Sequence, residues 1–309
     1  MQRESGGELG SRSAGLAGLQ ALLVTFLWST SWVLVRIGLR DLPPLAFAGL
    51  RYIIAVLCLV PFAVHPARLV LLRGLSRQHW LRLISLGLLY YTLTQGMQYV
   101  ALSYLPAATV SLMLSFTSVV VAFLGMAFLG EGLSGLGWIG VLLCTLGTAL
   151  YFHPFSFSTA PKEGLVAAVI GVLANGASSL LGRHINREAR VPPLMVTTVS
   201  MAVGATSLLG VGVLTQGLPH LTASNWLIVA WLAVVNTAFA FTLWNHTLRT
   251  LSAIQSSIIN NTMLVQIAVL AWIFLGERLS AKALLGMALV GVGALLVQLW
   301  PGRAGQGAA

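Results

Sequence analysis

The chain has 309 residues, of which 57% are hydrophobic and 8% are charged, and its mean hydropathy is +0.89. A soluble domain carries roughly one-quarter charged residues, so this composition excludes a soluble protein and indicates one that lies in a bilayer. The net charge of +10 does not indicate a nucleic-acid partner, because the positive residues cluster in short loops between apolar stretches.

Ten apolar runs are long enough to cross a hydrocarbon layer of about 30 Å, which takes about 20 helical residues. The predicted spans 1 to 10 cover residues 16–39, 45–64, 80–103, 106–129, 134–152, 164–183, 193–214, 225–247, 252–275 and 280–300. Residues 1–15 lack the apolar core of a cleavable signal peptide, so we expect a disordered cytoplasmic tail there. Residues 301–309 are expected to form a second cytoplasmic tail. The 32 glycines favour a helical bundle over a β-barrel.

One phrase occurs twice in the chain. Residues 128–134 read FLGEGLS and residues 274–280 read FLGERLS, 146 positions later, and the same offset superposes Trp80 on Trp226. We therefore predict two five-helix repeats, at residues 16–152 and 164–300. A long internal duplication in an apolar chain is typical of secondary transporters, which hold their substrate between the repeats.

The distribution of Lys and Arg predicts the orientation. With both termini in the cytoplasm, eleven of these residues fall inside, whereas Arg40, Lys162, Arg278 and Lys282 fall outside. Cytoplasmic loops carry the excess of positive charge in membrane proteins, so this orientation is favoured. Because each repeat has an odd number of spans, the second repeat must run opposite to the first. The repeats are therefore predicted to be inverted.

Polar side chains recur at helical spacing in several spans and form stripes. Such groups are costly in hydrocarbon, so they should face other helices or a wet cavity. A serine can bond its own helix, whereas large amides carry more donors and acceptors than packing needs. The predicted solute-binding residues are Trp28, Ser29, Trp32, Arg51, Tyr91, Gln95, Gln98, Ser111, Ser115, Asn175, Phe241, Trp244, Ser257 and Asn261. The repeat alignment places Phe241 and Trp244 where Gln95 and Gln98 stand, which predicts one polar and one aromatic side.

Charged residues are rare within the spans. Only Arg36 and Arg51 lie well inside them, and each either reaches the interface or caps a helix, or attracts a carboxylate or phosphate of the solute. No Asp or Glu lies within a predicted span, which disfavours proton-coupled export of lipophilic cations. Glu131 and Glu277 lie at span ends, where we expect them to cap the amides of the next helix.

These residues together resemble the ten-span EamA-like members of the drug/metabolite transporter superfamily. The resemblance covers nearly all of residues 16–300. It rests on the two Gly-Glu phrases, on Trp28 and Ser29 before IGL at 37–39, on PPL at 43 and 192, on Arg51 in LRY, and on ALSYLPA at 101–107. It implies a central cavity lined by spans 1 to 4 and 6 to 9, with spans 5 and 10 peripheral. Many relatives have proline in spans 4 and 9, where this chain has Ser118 and Leu264, so helix kinks cannot be carried over.

The expected fold is an all-α membrane bundle of ten helices with an inverted five-plus-five repeat. The resemblance implies a transporter, and we expect an exporter of small neutral or zwitterionic, amino-acid-like metabolites in the plasma (inner) membrane, working by alternating access. An exchanger of nucleotide sugars or phosphate esters, a multidrug exporter and a non-transporting receptor are the alternatives. A membrane enzyme is not expected, because the acids lie at loop ends and the six histidines show no close spacing.

The predicted partners are a small-molecule solute and membrane lipids, without nucleic acid, cofactor or metal. The two cysteines, Cys58 and Cys144, each lie inside an apolar run and indicate neither a disulfide framework nor a thiolate metal site. Glycines in spans 5 and 10 predict close helix contacts, either within one chain or between two chains of a homodimer.

Overall fold

The computed structural model describes residues 4–63, 66–129, 131–153, 161–188, 191–247, 251, 253–299 and 301–304. Its α-helices are α1 (Glu4–Gly38), α2 (Pro44–Ala63), α3 (Pro66–Arg73), α4 (Arg77–Gly87), α5 (Gln95–Tyr104), α6 (Ala107–Ser115), α7 (Thr117–Leu129), α8 (Gly135–Tyr151), α9 (Lys162–Arg187), α10 (Pro193–Gln216), α11 (Ala223–Ala233), α12 (Ala240–Thr247), α13 (Ala253–Leu275) and α14 (Ala281–Leu299). Two π-helical segments, Leu88–Thr94 and Val234–Phe239, join α4 to α5 and α11 to α12. Strands β1 (Glu131–Leu133) and β2 (Pro301–Ala304) form one antiparallel pair.

The helices account for all ten predicted spans. Eight helical stretches in the described part of the chain are long and apolar enough to cross a membrane, and α8 is a further apolar helix of 17 residues. Span 3 is the helical path from Arg77 to Tyr104, with a π-helical segment in its middle. The prediction of a polytopic all-α bundle is therefore confirmed.

Spans 5 and 10 cross at two pairs of glycines. The carbonyl oxygen of Gly293 lies 2.6 Å from where a Cβ atom of Gly140 would stand, and that of Gly286 lies 2.6 Å from the Cβ position of Gly147. Gly140, near the start of α8, contacts Gly293, near the end of α14, and Gly147 contacts the earlier Gly286. The two helices therefore run antiparallel. In the repeat alignment, Gly140 corresponds to Gly286 and Gly147 corresponds to Gly293. Exchanging the two repeats therefore turns the Gly140–Gly293 contact into the Gly286–Gly147 contact, so the crossing has two-fold symmetry. The repeats are therefore inverted, and these glycines pack within one chain.

The two Gly-Glu phrases lie at opposite ends of the bundle. The carboxylate of Glu277 accepts a hydrogen bond from the amide of Ala107, where span 4 begins. Glu131 follows the other end of span 4, after Leu129. The two ends are separated by roughly 33 Å at 1.5 Å per helical residue, which is the thickness of a bilayer core.

Span 4 is interrupted although no proline lies within its helices, since Pro106 precedes the first of them. Helix α6 ends at Ser115, Phe116 forms a turn, and α7 begins at Thr117. The hydroxyl of Ser115 donates to the carbonyl of Ser111 at 3.1 Å, and serine bonds of this kind weaken and bend a helix. In span 9, α13 continues without a break.

The two terminal segments continue regular structure in their described parts. Helix α1 begins at Glu4, so residues 4–15 extend the helix of span 1. Extending an existing helix is far easier than nucleating a new one, and residues 4–15 contain no proline that would stop the extension. At the other terminus, residues 301–304 pair with β1, with Ala304 opposite Glu131. Residues 1–3 and 305–309 lie outside the described part.

Candidate functional site: a cavity between the two repeats

A cavity of about 310 Å³ lies in the middle of the bundle. Spans 1, 2, 3, 4, 6, 8 and 9 contribute side chains to it, so both repeats form its wall. Ten of the predicted site residues line it: Trp28, Trp32, Arg51, Gln95, Gln98, Ser111, Ser115, Asn175, Phe241 and Asn261. The wall also contains nine residues that were not predicted: Ser31, Tyr52, Tyr90, Thr94, Leu114, Asn260, Met263, Leu264 and Ile267.

Ser29 does not line the cavity, contrary to the prediction. It is fully buried, and its hydroxyl lies 2.8 Å from the carbonyl oxygen of Thr25 and 2.9 Å from Oε1 of Gln266 on span 9. Gln266 in turn donates to the hydroxyl of Thr262 at 3.0 Å. This network holds spans 1 and 9 together. A polar residue in a span can therefore serve packing alone, which is the alternative that serine spacing leaves open.

The π-helical segment of span 3 changes which tyrosine reaches the cavity. Tyr91 was predicted from α-helical spacing, but Tyr90 lines the cavity instead. Tyr91 is buried behind it, and its ring makes edge contacts with Tyr90 at 4.8 Å and Tyr52 at 5.5 Å between ring centroids. A π-helix bonds residue i to i+5 rather than i+4, so an extra residue enters the turn. The assumption of 100° per residue therefore fails across Leu88–Thr94.

Aromatic rings form one side of the cavity. The ring of Trp28 lies 5.2 Å from that of Phe241 and 5.3 Å from that of Trp244, spacings typical of favourable aromatic pairs. Trp28 and Phe241 line the cavity, whereas Trp244 supports Trp28 from behind. The indole nitrogen of Trp28 is buried and has no hydrogen-bond partner in the described part of the chain. Trp28 therefore keeps an unused donor.

Among the described residues that line the cavity, Arg51 is the only one with a charged side chain. Only 6% of the surface of Arg51 is exposed to solvent. Nε donates to the hydroxyl of Thr237 at 3.0 Å and Nη1 donates to that of Tyr99 at 3.1 Å. The guanidinium carbon also lies 5.3 Å from the centre of the Tyr52 ring, a cation–π distance.

No carboxylate pairs with Arg51 among the residues that the structure describes. The two hydrogen bonds occupy two of the five N–H donors of its guanidinium. A buried charge without a counter-charge is costly. Arg51 therefore presents a positive charge and free donors to the cavity, and it does not extend to the membrane surface.

Large amides supply much of the polar wall. Asn175 donates to the hydroxyl of Thr117 at 3.1 Å, which joins spans 6 and 4. Asn261 donates to the side chain of Gln298 at 3.2 Å, which joins spans 9 and 10. The side-chain amides of Gln98 and Asn260 have no hydrogen-bond partner within the described ranges. These two amides can donate to or accept from a bound solute.

The serine hydroxyls of span 4 donate to carbonyl groups of their own helix, as one interpretation of their spacing predicts. Ser111 and Ser115 line the cavity, but the hydroxyl of Ser111 donates to the carbonyl of Ala108 at 2.9 Å and that of Ser115 donates to Ser111. Only their oxygen lone pairs remain for a solute. The side chain of Ser257, the repeat partner of Ser111, lies outside the described part.

A second cavity, of about 390 Å³, lies at the end of the bundle that holds Glu277. Arg36, Arg40, Ser103, Pro106 and Glu277 contribute to its wall. Arg36 Nη1 donates to the carbonyl of Leu102, so Arg36 caps the C-terminal end of span 3 as one of the two interpretations predicted.

Glu277 caps a different helix from the one expected. Its carboxylate accepts from the amides of Ala107 at 2.7 Å and Ala108 at 3.2 Å, at the start of α6 in the first repeat rather than the next helix in its own. Gly276, with φ at 69°, lies in the left-handed region between α13 and Glu277, where glycine is favoured. The side chain of Glu131 lies outside the described part.

A charged cluster lies at the opposite end of the bundle. The carboxylate of Glu188 lies 2.5 Å from Nη1 of Arg82, 2.9 Å from Nε2 of His79 and 3.2 Å from Nε2 of His184. Desolvation acts to raise the pKa of Glu188, but the hydrogen bonds from Arg82 and His79 and the charges of Arg82 and His184 outweigh it and lower that pKa. The cluster joins the ends of spans 3 and 6, and Glu188 itself lies outside the membrane-spanning segments.

Known proteins are similar to this chain in sequence and in architecture. The model of the EamA-like transporter family matches residues 15–152 and again residues 162–299. The chain is 30% identical to the uncharacterized transporter YvbV of Bacillus subtilis (strain 168), over 87% of this chain and 88% of that protein. It is 22% identical to the probable amino-acid metabolite efflux pump of Escherichia coli (strain K12), over 89% of this chain and 92% of that protein.

The fold is also found in a crystal structure. That structure superposes with a TM-score of 0.63 at 23% identity, covering 93% of this chain and 97% of the other. This likeness concerns the fold. The two family matches, each spanning one five-helix repeat, together cover most of the chain. The protein is therefore a multi-pass membrane transporter that belongs to the EamA-like transporter family.

Proposed function

We propose that this transporter exports small neutral or zwitterionic metabolites, amino acids among them, by alternating access. Arg51 carries the proposal, since it is a buried cation in a cavity whose described wall contains no acid. A carboxylate can accept from the N–H donors of Arg51 that protein groups leave free, through charge-assisted hydrogen bonds. The aromatic side, with Trp28 and Phe241, suits the apolar part of such a solute.

The amides complete the match to a zwitterion. The carbonyl oxygens of Gln98 and Asn260 can accept from an ammonium group, and their NH₂ groups can donate to a hydroxyl or carbonyl. A cavity of about 310 Å³ lies at the small end of the size range of ligand sites. It suits a solute of amino-acid size better than a nucleotide sugar.

The rival substrate classes fit this wall less well. A phosphate ester carries up to two negative charges, whereas the described wall supplies one cation, Arg51. A lipophilic cation would meet Arg51 without a carboxylate to balance its own charge. The counterflow assay described below tests both of these substrate classes.

The remaining parts of the proposal concern direction and placement. Export is supported by the efflux pumps among the relatives. The distribution of Lys and Arg supports an inner-membrane protein with both termini in the cytoplasm. The mechanism needs no covalent step, because the two inverted halves expose the central site to either side in turn.

Counterflow in proteoliposomes tests this proposal. Vesicles loaded with unlabelled phenylalanine should accumulate labelled phenylalanine, with phenethylamine, which lacks only the carboxylate, as the matched solute. We expect exchange of phenylalanine and little exchange of phenethylamine. A glucose 1-phosphate arm tests the phosphate-ester class, and a pH gradient tests proton coupling. Exchange of phenethylamine or of the phosphate ester, without exchange of any amino acid, would overturn the proposal.

A further inference from the structure

An apolar groove of about 530 Å³ lies on the outside of the bundle, between spans 9 and 10. Val265, Val269 and Trp272 of α13 form one wall, and Leu284 of α14 forms part of the other. These side chains are largely exposed, with Val265 at 65% and Trp272 at 62%. The neighbouring residues Leu264 and Ile267 line the solute cavity instead, so the groove occupies the opposite face of α13 and opens toward lipid.

The groove has the length of one leaflet. Leu275 ends α13, and Val265 lies ten residues deeper in that helix. At 1.5 Å per residue this is about 15 Å, half of the roughly 30 Å hydrocarbon core. The groove therefore runs from the level of the headgroups to about the middle of the bilayer, as one acyl chain does.

Two basic residues lie near the end of the groove that faces the lipid headgroups. Arg278 lines the groove, and the exposed Lys282 follows it four residues later, in the first turn of α14. Within the described ranges neither residue has an ion-pair partner. The nearby carboxylate of Glu277 is already bound to the amides of Ala107 and Ala108. The groove therefore combines apolar walls with an unneutralised positive end.

The topology makes this pair of cations unusual. Cations are disfavoured in outward-facing loops, and the sequence predicts only four there, Arg40, Lys162, Arg278 and Lys282. One of these four, Arg278, lines the groove, and a second, Lys282, lies four residues later in the first turn of α14. Their charge matches an anionic phosphate, and their position matches the headgroup layer.

We propose that this groove binds one anionic phospholipid, of the phosphatidylglycerol type, from the leaflet that faces Glu277. An acyl chain lies along Val265, Val269 and Trp272, and the phosphate contacts Arg278 and Lys282. Each such cation near a membrane surface contributes about 1 kcal/mol of attraction to anionic lipid. The pair should therefore favour an anionic over a zwitterionic lipid by about 30-fold.

Native mass spectrometry of the full chain measures this preference. Protein in detergent receives phosphatidylglycerol or phosphatidylethanolamine with identical acyl chains, and the fraction with bound lipid is compared. The Arg278→Gln/Lys282→Gln variant should lose most of the preference. The matched control is Arg40→Gln/Lys162→Gln, which removes the other two predicted outward cations and should keep it. Val269→Trp, which places a larger ring in the groove at an exposed position, should reduce binding of both lipids.

Several outcomes would overturn the proposal. Equal preference in the wild type and the Arg278→Gln/Lys282→Gln variant would place the lipid elsewhere, and loss of preference in the control would indicate a nonspecific effect of charge. Cross-linking of two chains through Val269→Cys would show that a second copy occupies the groove. The readout is lipid binding, so these results are independent of the counterflow assay.

Discussion

The carboxylate of Glu277 in the second repeat accepts a hydrogen bond of 2.7 Å from the amide of Ala107 in the first repeat. Glu277 thus caps a helix that is 170 residues away in the chain. Loss of a helix cap costs about 0.5–2 kcal/mol, and hydrogen bonds to a charged group lie toward the upper end.

The Glu277→Ala variant should therefore unfold at a lower temperature than wild type in detergent, with a loss of about 1–2 kcal/mol in stability. Glu277→Gln keeps an acceptor oxygen and should lose less. Glu163→Ala is the control, because Glu163 is an exposed acid in the first turn of α9. An equal decrease in Tm for the Glu163 and Glu277 variants would contradict the capping role.

Replacing Arg51 by Gln should weaken transport of a zwitterion more than that of a neutral solute. A charge-assisted hydrogen bond contributes about 1.5–3 kcal/mol, so the KM for phenylalanine should rise by about 10-fold to 100-fold. N-acetylphenylalaninamide, which has neither a carboxylate nor a protonatable amine, serves as the neutral comparison solute. Arg51→Lys keeps the charge but loses the paired donors, and should lie between wild type and Arg51→Gln.

The control for Arg51 is Arg40→Gln, which removes a cation from the second cavity only. Equal effects of Arg51→Gln on charged and neutral solutes would mean that Arg51 is structural. That result would favour the bonds to Thr237 and Tyr99 as its role.

Gly140→Ala should destabilise the protein even though alanine is the better helix former. The added Cβ atom would stand 2.6 Å from the carbonyl of Gly293, and overpacking of this kind costs about 1–3 kcal/mol. This exceeds the gain of about 1 kcal/mol in helix propensity. Gly210→Ala is the matched control, because nothing lies within 4 Å of its Cβ position, and it should raise Tm. A higher Tm for Gly140→Ala would mean that spans 5 and 10 are farther apart.

The Glu188 cluster should make stability dependent on pH. Because the pKa of Glu188 is lowered in the folded state, the ionised carboxylate stabilises the fold above its ordinary pKa of 4.5, and this contribution disappears as the pH falls through the lowered value. Wild type should therefore have a higher Tm than Glu188→Gln at about pH 6, and the difference should vanish in acid. A difference that is independent of pH would exclude the charge as the cause.

Labelling from one side of the membrane tests the orientation. In a background without Cys58 and Cys144, the Arg278→Cys variant should react with an impermeant maleimide in intact cells. The Arg77→Cys variant should react only after permeabilisation; both positions are exposed. Reaction of both variants in intact cells would contradict the inverted arrangement, and the reverse pattern would place the termini outside.

The lengths of the apolar runs predicted the spans, and the odd number of spans in each repeat predicted the inversion. Helical spacing predicted ten of the nineteen residues in the cavity wall, because lipid confines polar groups to the interior. Prediction from spacing is the weaker of these. It failed where the helix is irregular or where partners come from distant segments. Tyr91 was predicted instead of Tyr90 because no sequence pattern indicates the π-helical segment. Ser29 was misplaced because its partner, Gln266, lies 237 residues away. Asn260 was missed although its neighbour Asn261 was chosen, since adjacent positions differ by 100° in an ideal helix.

The two π-helical segments begin at Leu88 and Val234, 146 residues apart, which is also the spacing of the repeated phrase. The simplest history is that the ancestral five-helix unit already contained this widened turn before its gene was duplicated. Later divergence then altered the side chains that follow the turn, giving glutamines in one copy and aromatic residues in the other. Selection could thus change what the protein carries while the backbone that shapes the chamber was inherited intact.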